Sequence, residues 1–202
     1  MTRPAPALRE LARRDPRLAR IMKGRQPFRP PARPDPYRDL LQSIISQQLS
    51  VKAADTIFAR FLDLFPRGRP TPARLVVMSD EVLRSAGVSR QKAGYLRNVA
   101  AFARTGGLRH ARLRTYTDEQ VIEHLTAIKG VGRWTVEMLL MFNLQRPDVF
   151  PVDDVGIQAA MIRLYGLRVR GRALRVRMEQ IAARWRPYRT VACHFLWQWR
   201  DT

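Results

Sequence analysis

Residues 125–154 have the sequence LTAIKGVGRWTVEMLLMFNLQRPDVFPVDD, and this stretch decides the fold. The apolar end of one helix is followed by Gly130-Val131-Gly132, a second helix and a Pro-Val-Asp-Asp turn. Two glycines around one apolar residue let the chain reverse tightly between helices and leave main-chain N–H groups exposed. Because these groups lie at the start of a helix, where the dipole favours an anion, the pattern predicts a phosphate-binding hairpin.

The charge balance indicates a polyanionic partner. The 202-residue chain has 37 lysines and arginines against 17 acidic residues, a net charge of +20, with an isoelectric point near 11.6. A GC-rich genome would explain why arginine outnumbers lysine, but not why acids are so few. Nucleic acid is therefore the expected partner. The hydrophobic fraction of 46% is enough for a core, in one compact domain or two small lobes.

Composition also excludes several kinds of site. Cys193 is the only cysteine, which excludes a disulfide framework, a thiolate zinc site and a four-cysteine iron–sulfur cluster within the chain. No apolar run approaches the ~20 residues that span a bilayer, and the N-terminal residues lack the apolar core of a secretion signal. We expect no membrane contact and a cytoplasmic, nucleoid-associated protein. The three histidines have no ligand spacing and are interpreted as surface or hydrogen-bonded side chains: His110, His124 and His194.

Apolar residues recur at helical spacing, and no stretch alternates with period two over strand length. The sequence therefore predicts an all-α protein. Helix starts are indicated by Asp35-Pro36, Thr71-Pro72, Ser79-Asp80, Ser89 and a capping box at Thr117 and Gln120. The predicted elements include a helix at 15–22, an extended linker at 26–36 and helices at 133–144, 154–165, 171–185 and 187–199.

Asp154 is the candidate catalytic residue. A carboxylate beside a DNA-binding hairpin repels DNA, so its presence in a basic segment calls for a chemical reason. A fixed carboxylate can stabilise positive charge that develops in a transition state, and it can orient an attacking water. Asp153 is the alternative, and either residue could instead be a plain helix N-cap.

At this point the chain resembles a known family. The hairpin with its spaced aspartate is similar to the helix-hairpin-helix/GPD superfamily of DNA glycosylases, and in detail to the DNA-3-methyladenine glycosylase II branch. Three further segments match that branch: 44–50 (IISQQLS) with Ala53-Ala54, Gly87-Val88-Ser89 with Lys92-Ala93, and 185–189 (WRPYR) with Leu196-Trp197. The resemblance covers roughly residues 36–200.

The resemblance implies a two-lobed helical fold with the active site in the cleft between the lobes. It implies one catalytic unit over 1–202, with a middle lobe at 36–146 that carries the wedge loop and the hairpin. The second lobe comes from 1–35 plus 147–202. Full-length members often have an extra N-terminal β-lobe, but too few residues precede Asp35 to build one, so we expect the short form.

The resemblance also assigns roles to the acidic turn and to Trp134. By register with the family motif, Asp154 is the catalytic carboxylate and Asp153 the cap. Bifunctional members have a lysine where this chain has Trp134, and Lys129 lies in a different register. A monofunctional hydrolase without lyase activity is implied, with water as the nucleophile.

A base pocket is implied around Trp134, Trp197, Met138 and Val155. A π-rich face attracts an alkylated, cationic base by about 1–2 kcal/mol. Such a base is already a good leaving group, so no general acid is needed. Met138 and Val155 stand where some members have tyrosines, which implies a roomier, less aromatic pocket. Both tryptophans could instead pack in a core, and this alternative stays open.

Two segments are implied to contact DNA. The hairpin is expected to bind phosphate through its main chain, and neither of its glycines is expected to tolerate a side chain; its residues are Gly130, Val131, Gly132, Arg133 and Thr135. A wedge that fills the space of an extruded base is implied at Gln47, Gln48 and Leu49. Some relatives have leucine in place of Gln48, and an ordinary corner between helices would explain the same three residues.

No cofactor is required by the expected chemistry. The resemblance suggests a structural monovalent cation, Na⁺ or K⁺, held in the hairpin by the main-chain carbonyl groups of Thr126, Ile128 and Val131.

The function implied is excision of alkylated bases from double-stranded DNA in base excision repair, by a monomer. The expected substrates are of the 3-methyladenine type, with 7-methylguanine and 1-methyladenine as further ones. Two alternatives remain: a glycosylase of another lesion specificity, and a non-catalytic helix-hairpin-helix DNA-binding module. The second alternative leaves Asp154 without a purpose.

Overall fold

The computed structural model describes residues 4–28 and 35–200, so most of the linker predicted at 26–36 lies outside the described residues. The described chain is helical and contains no strand, which confirms the all-α prediction. The helices are α1 Pro4–Arg14, α2 Pro16–Met22, α3 Pro36–Ser46, α4 Val51–Asp63, α5 Pro72–Val76, α6 Asp80–Ser85, α7 Arg90–Arg104, α8 His110–Thr115, α9 Asp118–Thr126, α10 Arg133–Met138, α11 Val155–Tyr165, α12 Gly171–Ala182 and α13 Arg189–Arg200. Short 3₁₀ turns occur at Pro66–Gly68 and Ala183–Trp185.

The predicted helix starts are confirmed where the sequence supplies a capping side chain. Asp35, Ser79 and Ser89 each accept a hydrogen bond from a main-chain amide in the first turn of the helix that follows. Thr117 and Gln120 form the capping box of α9, with both hydrogen bonds present. Each cap satisfies amides that would otherwise lack a partner at the helix start.

The N-terminal segment is more helical than the sequence predicts. The helix predicted at 15–22 is confirmed as α2, but α1 precedes it in a stretch rich in arginine and proline. The two prolines of α1 fall in its first turn, where a missing N–H costs no hydrogen bond. Leu11 is fully buried and anchors α1.

The helix predicted at 133–144 is interrupted. α10 ends at Met138, and the chain continues as a π-helical turn, Leu139–Asn143. One extra residue per turn displaces the side chains that follow, and such turns are frequent at functional sites. The three later helices are confirmed as α11, α12 and α13, although the second of them finishes in a 3₁₀ turn.

The chain forms two compact units, which are described separately. One unit comprises Met1–Pro31 with Leu140–Thr202, and the other comprises Ala32–Leu139. Among the described residues, the core of the first unit includes Leu11, Leu18, Ile157, Met161, Met178, Trp185 and Phe195. The core of the second includes Leu40, Leu41, Ile44, Ile45, Phe61, Leu96 and Leu125.

Asp15 connects the N-terminal helices to the rest of the first unit. Its Oδ1 accepts hydrogen bonds from the amides of Arg17 and Leu18, both at 3.1 Å, and so caps α2. Its Oδ2 accepts from the Tyr165 hydroxyl at 2.8 Å and from the Trp185 indole at 2.9 Å. A buried carboxylate is stable only with such partners, so all three side chains depend on one another.

Within the described part of the chain, no helix is both long enough and apolar enough to cross a bilayer.

Candidate active site

Asp154 lies at the end of the Pro-Val-Asp-Asp turn, where α11 begins. The residue is buried, with 8% of its surface exposed. Its Oδ1 accepts a hydrogen bond from the amide of Ile157 at 2.8 Å and another from Nε1 of Trp197, also at 2.8 Å. Two donors on one oxygen fix the orientation of the carboxylate. The group is therefore preorganised to stabilise a positive charge that develops beside it.

Asp153 does not cap α11, so this part of the sequence interpretation is wrong. Its side chain is exposed and forms an ion pair with Arg175 at 2.6 Å. Asp154 itself is the N-cap, because its oxygen reaches the amide of the first turn. One residue is thus both helix cap and candidate catalytic group.

The Trp-Arg-Pro-Tyr-Arg motif anchors the chain that leads into the acidic turn. Arg189 makes a bidentate pair with Asp148, with Nε and Nη2 at 2.7 and 3.0 Å from the two carboxylate oxygens. The hydroxyl of Thr190 donates to the Arg146 carbonyl at 2.7 Å and accepts from the Val149 amide at 3.0 Å. The motif therefore positions the turn that presents the carboxylate.

Gly156 permits a close approach to the candidate carboxylate. A Cβ atom at this position would lie 3.1 Å from Oδ1 of Asp154 and 3.1 Å from Cδ1 of Trp197, and it would overlap the guanidinium of Arg200. The missing side chain leaves room for the indole and the guanidinium near the carboxylate. Arg200 and Gly156 are neighbours that the sequence analysis does not identify.

Trp197 belongs to an aromatic cluster that also contains Phe28, Phe142 and His194. The ring centroids are 4.7 Å apart for Phe28 and His194, and 5.3 Å apart for Phe142 and His194. Trp197 lies 5.7 Å from Phe142, nearly parallel to it, and 5.9 Å from His194. Trp197 is half-buried. It packs against neighbouring rings, as a core residue would, and it also contacts Asp154, as a pocket residue would.

His194 contradicts the interpretation of all three histidines as surface or hydrogen-bonded side chains. It exposes only 8% of its surface, and its Nε2 has no hydrogen-bond partner among the described residues. Burial lowers the pKa of His194 to about 4, because the charged imidazolium would lose its hydration. His124 fits the interpretation, since its Nε2 lies 3.1 Å from the carbonyl oxygen of Gly107.

The other predicted pocket residues differ in exposure. Trp134 follows the first residue of α10 and exposes 41% of its surface, which excludes a fully buried core position. Met138, at the end of α10, is partly buried. Val155 is the first residue of α11 and exposes 80% of its surface.

The predicted hairpin is present between α9 and α10. The Val131 amide donates to the Ile128 carbonyl at 2.9 Å and closes the turn. Gly130 has a φ of +103°, a left-handed conformation that favours glycine, and an added Cβ would overlap the ring of Tyr95. Gly132 has a φ of −92°, and no described atom lies within 4 Å of its Cβ position. Of the two hairpin glycines, only Gly130 is therefore required by packing within the described residues, and the expectation that Gly132 excludes a side chain depends on bound phosphate and stays a prediction.

The predicted hairpin residues after Gly132 are engaged within the second unit. The Arg133 guanidinium pairs with both carboxylate oxygens of Glu119, at 2.8 and 3.2 Å, and with Glu137 at 3.2 Å. Its hydrogen bonds and positive charge lower the pKa of Glu119. The Thr135 side chain is buried, with 3% of the residue exposed, so the amide is the part of Thr135 that can serve an anion.

The predicted wedge residues form a short loop between α3 and α4. Gln48 is exposed and has a φ of +60°, an unusual conformation for a residue with a side chain. Leu49 exposes 39% of its surface. The Gln47 side chain donates from Nε2 to the carbonyl of Gly130 at 3.2 Å, which links this loop to the hairpin. Strained, exposed residues of this kind cluster at functional sites.

Lys92, at the start of α7, holds the wedge loop through hydrogen bonds within the second unit. Its Nζ donates to the main-chain carbonyls of Ile45 and Gln47, each at 2.7 Å. A cation at the C-terminus of α3 satisfies carbonyls that have no partner in the helix. Desolvation lowers the pKa of Lys92, so the bonds hold a partly buried cation.

The same face of α7 contacts the hairpin. Tyr95 and Asn98 follow Lys92 at intervals of three residues, which places all three on one side of the helix. The Asn98 side chain donates to the carbonyl of Lys129 at 3.1 Å, and the Tyr95 ring packs beneath Gly130. Wedge loop and hairpin therefore rest on one helix face.

Lys92→Met is expected to slow excision about tenfold, because the loss of two charge-assisted hydrogen bonds to carbonyls releases the wedge loop. Single-turnover excision rates and DNA affinity would be measured beside the thermal midpoint. Lys52→Met is the matched control, since Lys52 is exposed on α4 of the same unit and the two changes remove the same charge. Equal rates for the two variants would contradict a positioning role for Lys92.

The carbonyl groups predicted to bind a cation lie in the hairpin turn. The Ile128 carbonyl accepts the hydrogen bond from Val131 and retains a second lone pair. Neutral carbonyl oxygens suit a hard monovalent ion, so these residues fit such a ligand in kind. Among the described residues, no group of histidine, cysteine or acidic side chains could hold a metal ion.

A protein-family model and a curated relative both match this chain over most of its length. The HhH-GPD superfamily base excision DNA repair protein family matches residues 41–187. The chain is 36% identical over 185 residues to DNA-3-methyladenine glycosylase 1 of Schizosaccharomyces pombe, which covers 90% of this chain and 80% of that relative.

Two solved structures are similar over nearly the whole chain. The S. pombe 3-methyladenine DNA glycosylase in complex with abasic DNA has a TM-score of 0.85 and 34% identity, covering 96% of this chain and 95% of that one. The DNA-3-methyladenine glycosidase of Bacillus halodurans has a TM-score of 0.83 and 39% identity, covering 98% of this chain and 90% of that one.

Proposed function

Since the chain belongs to the HhH-GPD superfamily of base excision DNA repair proteins, we propose that it is a monofunctional DNA glycosylase that hydrolyses the bond between an alkylated base and deoxyribose. One observation carries this proposal: a buried carboxylate, Asp154, is held by the Trp197 indole at a helix start in a chain of net charge +20. In a DNA-binding module without chemistry, such a group would serve only as the cap of α11, at the cost of repelling the DNA. The relatives of this chain named above are 3-methyladenine glycosylases, which supports alkylated bases as the class of lesion.

The proposed reaction needs one electrostatic group and one water. The bond between C1′ and the base nitrogen breaks, and its electron pair leaves with the cationic base, which becomes neutral. The positive charge that develops on the sugar is stabilised by Asp154. Water then adds to C1′ and loses a proton, which leaves an abasic site. Because the alkylated base is already a good leaving group, the reaction proceeds without a general acid.

Base recognition in this proposal relies on aromatic faces. An alkylated base carries a positive charge, and the face of a tryptophan attracts cations. Two observations support this: Trp197 contacts Asp154, and the Trp134 indole is exposed. Met138 and Val155 leave the proposed pocket less aromatic than one with tyrosines, which favours a wider range of cationic bases.

DNA binding is assigned to the two loops that rest on α7. The amides of the hairpin, at the start of α10, are proposed to bind phosphate, and Gln48 or Leu49 to enter the duplex where the base is extruded. A Na⁺ or K⁺ ion on the Thr126, Ile128 and Val131 carbonyls would add positive charge near that phosphate. We propose that the protein acts on double-stranded DNA as a monomer and that it is cytoplasmic and associated with the nucleoid.

Excision from a panel of lesion duplexes tests the function. We expect release of 3-methyladenine, 7-methylguanine and 1-methyladenine, the last because a base that cannot pair normally costs less to extrude. Release of oxidised or mismatched bases alone would replace the proposed specificity with another. DNA binding without release of any base would favour the non-catalytic module. Excision confined to 3-methyladenine would contradict the wider pocket.

The product is expected to be an intact abasic site without strand cleavage, because Trp134 stands where lyases have the lysine that forms a Schiff base. Borohydride reduction during excision should therefore trap no covalent protein–DNA complex. Lys129→Ala is the control for the nearest lysine in the sequence. A trapped complex in the wild type that disappears in this variant would overturn the monofunctional assignment.

A further inference from the structure

His194 is a polar side chain buried inside the aromatic cluster of Phe28, Phe142, His194 and Trp197. Its ring lies 4.7 Å from Phe28, 5.3 Å from Phe142 and 5.9 Å from Trp197, measured between centroids. Its Nε2 is buried without a hydrogen-bond partner among the described residues. Proteins rarely leave a buried polar atom unsatisfied, because the group has lost its water without compensation. The missing hydrogen-bond partner of this buried nitrogen therefore calls for a functional explanation.

The surroundings connect His194 to the candidate catalytic group. Trp197 stands between them: its ring packs against His194, and its Nε1 donates to Asp154 at 2.8 Å. His194 and Trp197 are three residues apart on α13, so they lie on the same side of that helix. The unsatisfied nitrogen is thus one ring away from the carboxylate.

Phe28 is the most exposed member of the cluster and the one nearest to His194. It exposes 37% of its surface, against 8% for His194. The main chain before it is fixed, because the Gln198 side chain donates to the Gln26 carbonyl at 2.9 Å. Phe28 is therefore the ring of the cluster that is most open to movement away from His194.

The imidazole suits a cationic ligand. Burial lowers the pKa of His194 to about 4, so the ring is neutral near pH 7 and does not repel a positive charge. In a neutral imidazole one ring nitrogen is an acceptor. Positive charge on an alkylated purine makes an exocyclic amino group a stronger donor and a carbonyl oxygen a weaker acceptor.

We propose that Nε2 of His194 accepts a hydrogen bond from the exocyclic amino group of the flipped base, and so selects adenine-type over 6-oxo bases. The base lies against the rings of the aromatic cluster, with its sugar toward Asp154. This inference rests on the proposed glycosylase function and adds the group that recognises the base edge. The group it adds, His194, is not among the predicted pocket residues Trp134, Trp197, Met138 and Val155.

The test compares His194→Phe, His194→Gln and a control, His124→Phe. Phenylalanine keeps a ring but removes the nitrogen, whereas glutamine restores an acceptor at a similar reach. His124 bonds the Gly107 carbonyl and packs against Phe102, so the same ring exchange there removes a structural hydrogen bond and changes packing away from the proposed base contact. Calorimetric titration with two free bases, 3-methyladenine and 3-methylhypoxanthine, isolates the exchange of an amino group for a carbonyl.

We expect the wild type to bind 3-methyladenine more tightly than 3-methylhypoxanthine. His194→Phe should lose about tenfold of its affinity for the neutral free base 3-methyladenine and little for the 6-oxo base, which is the scale of one buried hydrogen bond. His194→Gln should recover most of the affinity for 3-methyladenine but not the preference, because the amide can also donate to a 6-oxo base. His124→Phe should keep the whole preference. Single-turnover excision of 1-methyladenine should follow the same order.

An unchanged preference in His194→Phe would overturn the inference, and so would an equal loss for both bases in a variant with the thermal midpoint of the wild type. A wild type with no preference would overturn it as well. Failure of the proposed function looks different, because the wild type would then release no alkylated base from any duplex. The titration with free bases reports on His194 in either case.

Discussion

Asp154→Asn slows base excision by at least about 10²-fold, or roughly 3 kcal/mol, which is the effect expected when one preorganised electrostatic group is removed. The variant should fold normally. An asparagine oxygen can still accept the hydrogen bonds from the Ile157 amide and the Trp197 indole, so the cap of α11 is retained while the charge is lost. Single-turnover excision from an alkylated duplex measures the loss, with the thermal midpoint as a check on the fold.

DNA binding by Asp154→Asn should survive or improve, because a negative charge near the phosphates has been removed. Asp153→Asn is the matched control: it removes the same charge one residue away, where the side chain only pairs with Arg175 at the surface. Exposed ion pairs contribute at most about 1 kcal/mol, so this control should cleave at nearly the wild-type rate. Normal cleavage by Asp154→Asn with loss in Asp153→Asn would show that the catalytic assignment is off by one residue.

Gly130→Ala is expected to destabilise the protein by about 2–4 kcal/mol, since it combines a left-handed backbone with overlap between the new Cβ and Tyr95. For a chain of this size that corresponds to a fall in melting temperature of about 5–10 °C. Gly132→Ala should leave stability unchanged, because its backbone is ordinary and its Cβ position is open. Thermal unfolding of the two variants, one residue apart, separates these expectations.

DNA affinity distinguishes the two glycines in a second way. The folded Gly132→Ala variant should bind lesion and undamaged DNA more weakly, and by the same factor. A side chain at this position keeps a phosphate away from the hairpin amides, and phosphate contacts position the duplex without reading its sequence. The affinity of the wild type should also fall steeply with salt, as expected when phosphate contacts dominate. Unchanged binding by Gly132→Ala would remove the hairpin from the DNA interface.

Sequence predicts the features that depend on local chemistry. Caps such as Ser89 and Thr117 and the hairpin glycines leave direct signals, because a turn or a helix start needs particular residue types nearby. The family resemblance selects Asp154 by register with its motif, and the burial and two hydrogen bonds of this residue support that choice. Its role as cap was misassigned to Asp153, since either aspartate could reach the first turn and only the backbone decides.

The features that sequence did not predict depend on contacts between distant segments. Phe28, Phe142 and His194 meet only after the N-terminal segment, the π-helical turn and α13 have packed together, and each looks like an ordinary apolar or surface residue in its own stretch. The π-helical turn itself has no distinct residue pattern. Arg200 enters because Gly156 leaves space for it, a relation that exists only in three dimensions.

The common face of α7 has a consequence for how damage is found. Lys92 bonds the wedge loop, while Asn98 bonds the hairpin and Tyr95 packs against it, so α7 couples the positions of the two loops. In the proposed complex, the wedge residue that contacts the base stack therefore stays at a constant distance from the hairpin amides that bind phosphate. A search along undamaged DNA would then need no rearrangement of the protein at each step. The time spent at a base pair would be set by how easily that pair opens, and alkylated pairs would be detected by their weakness.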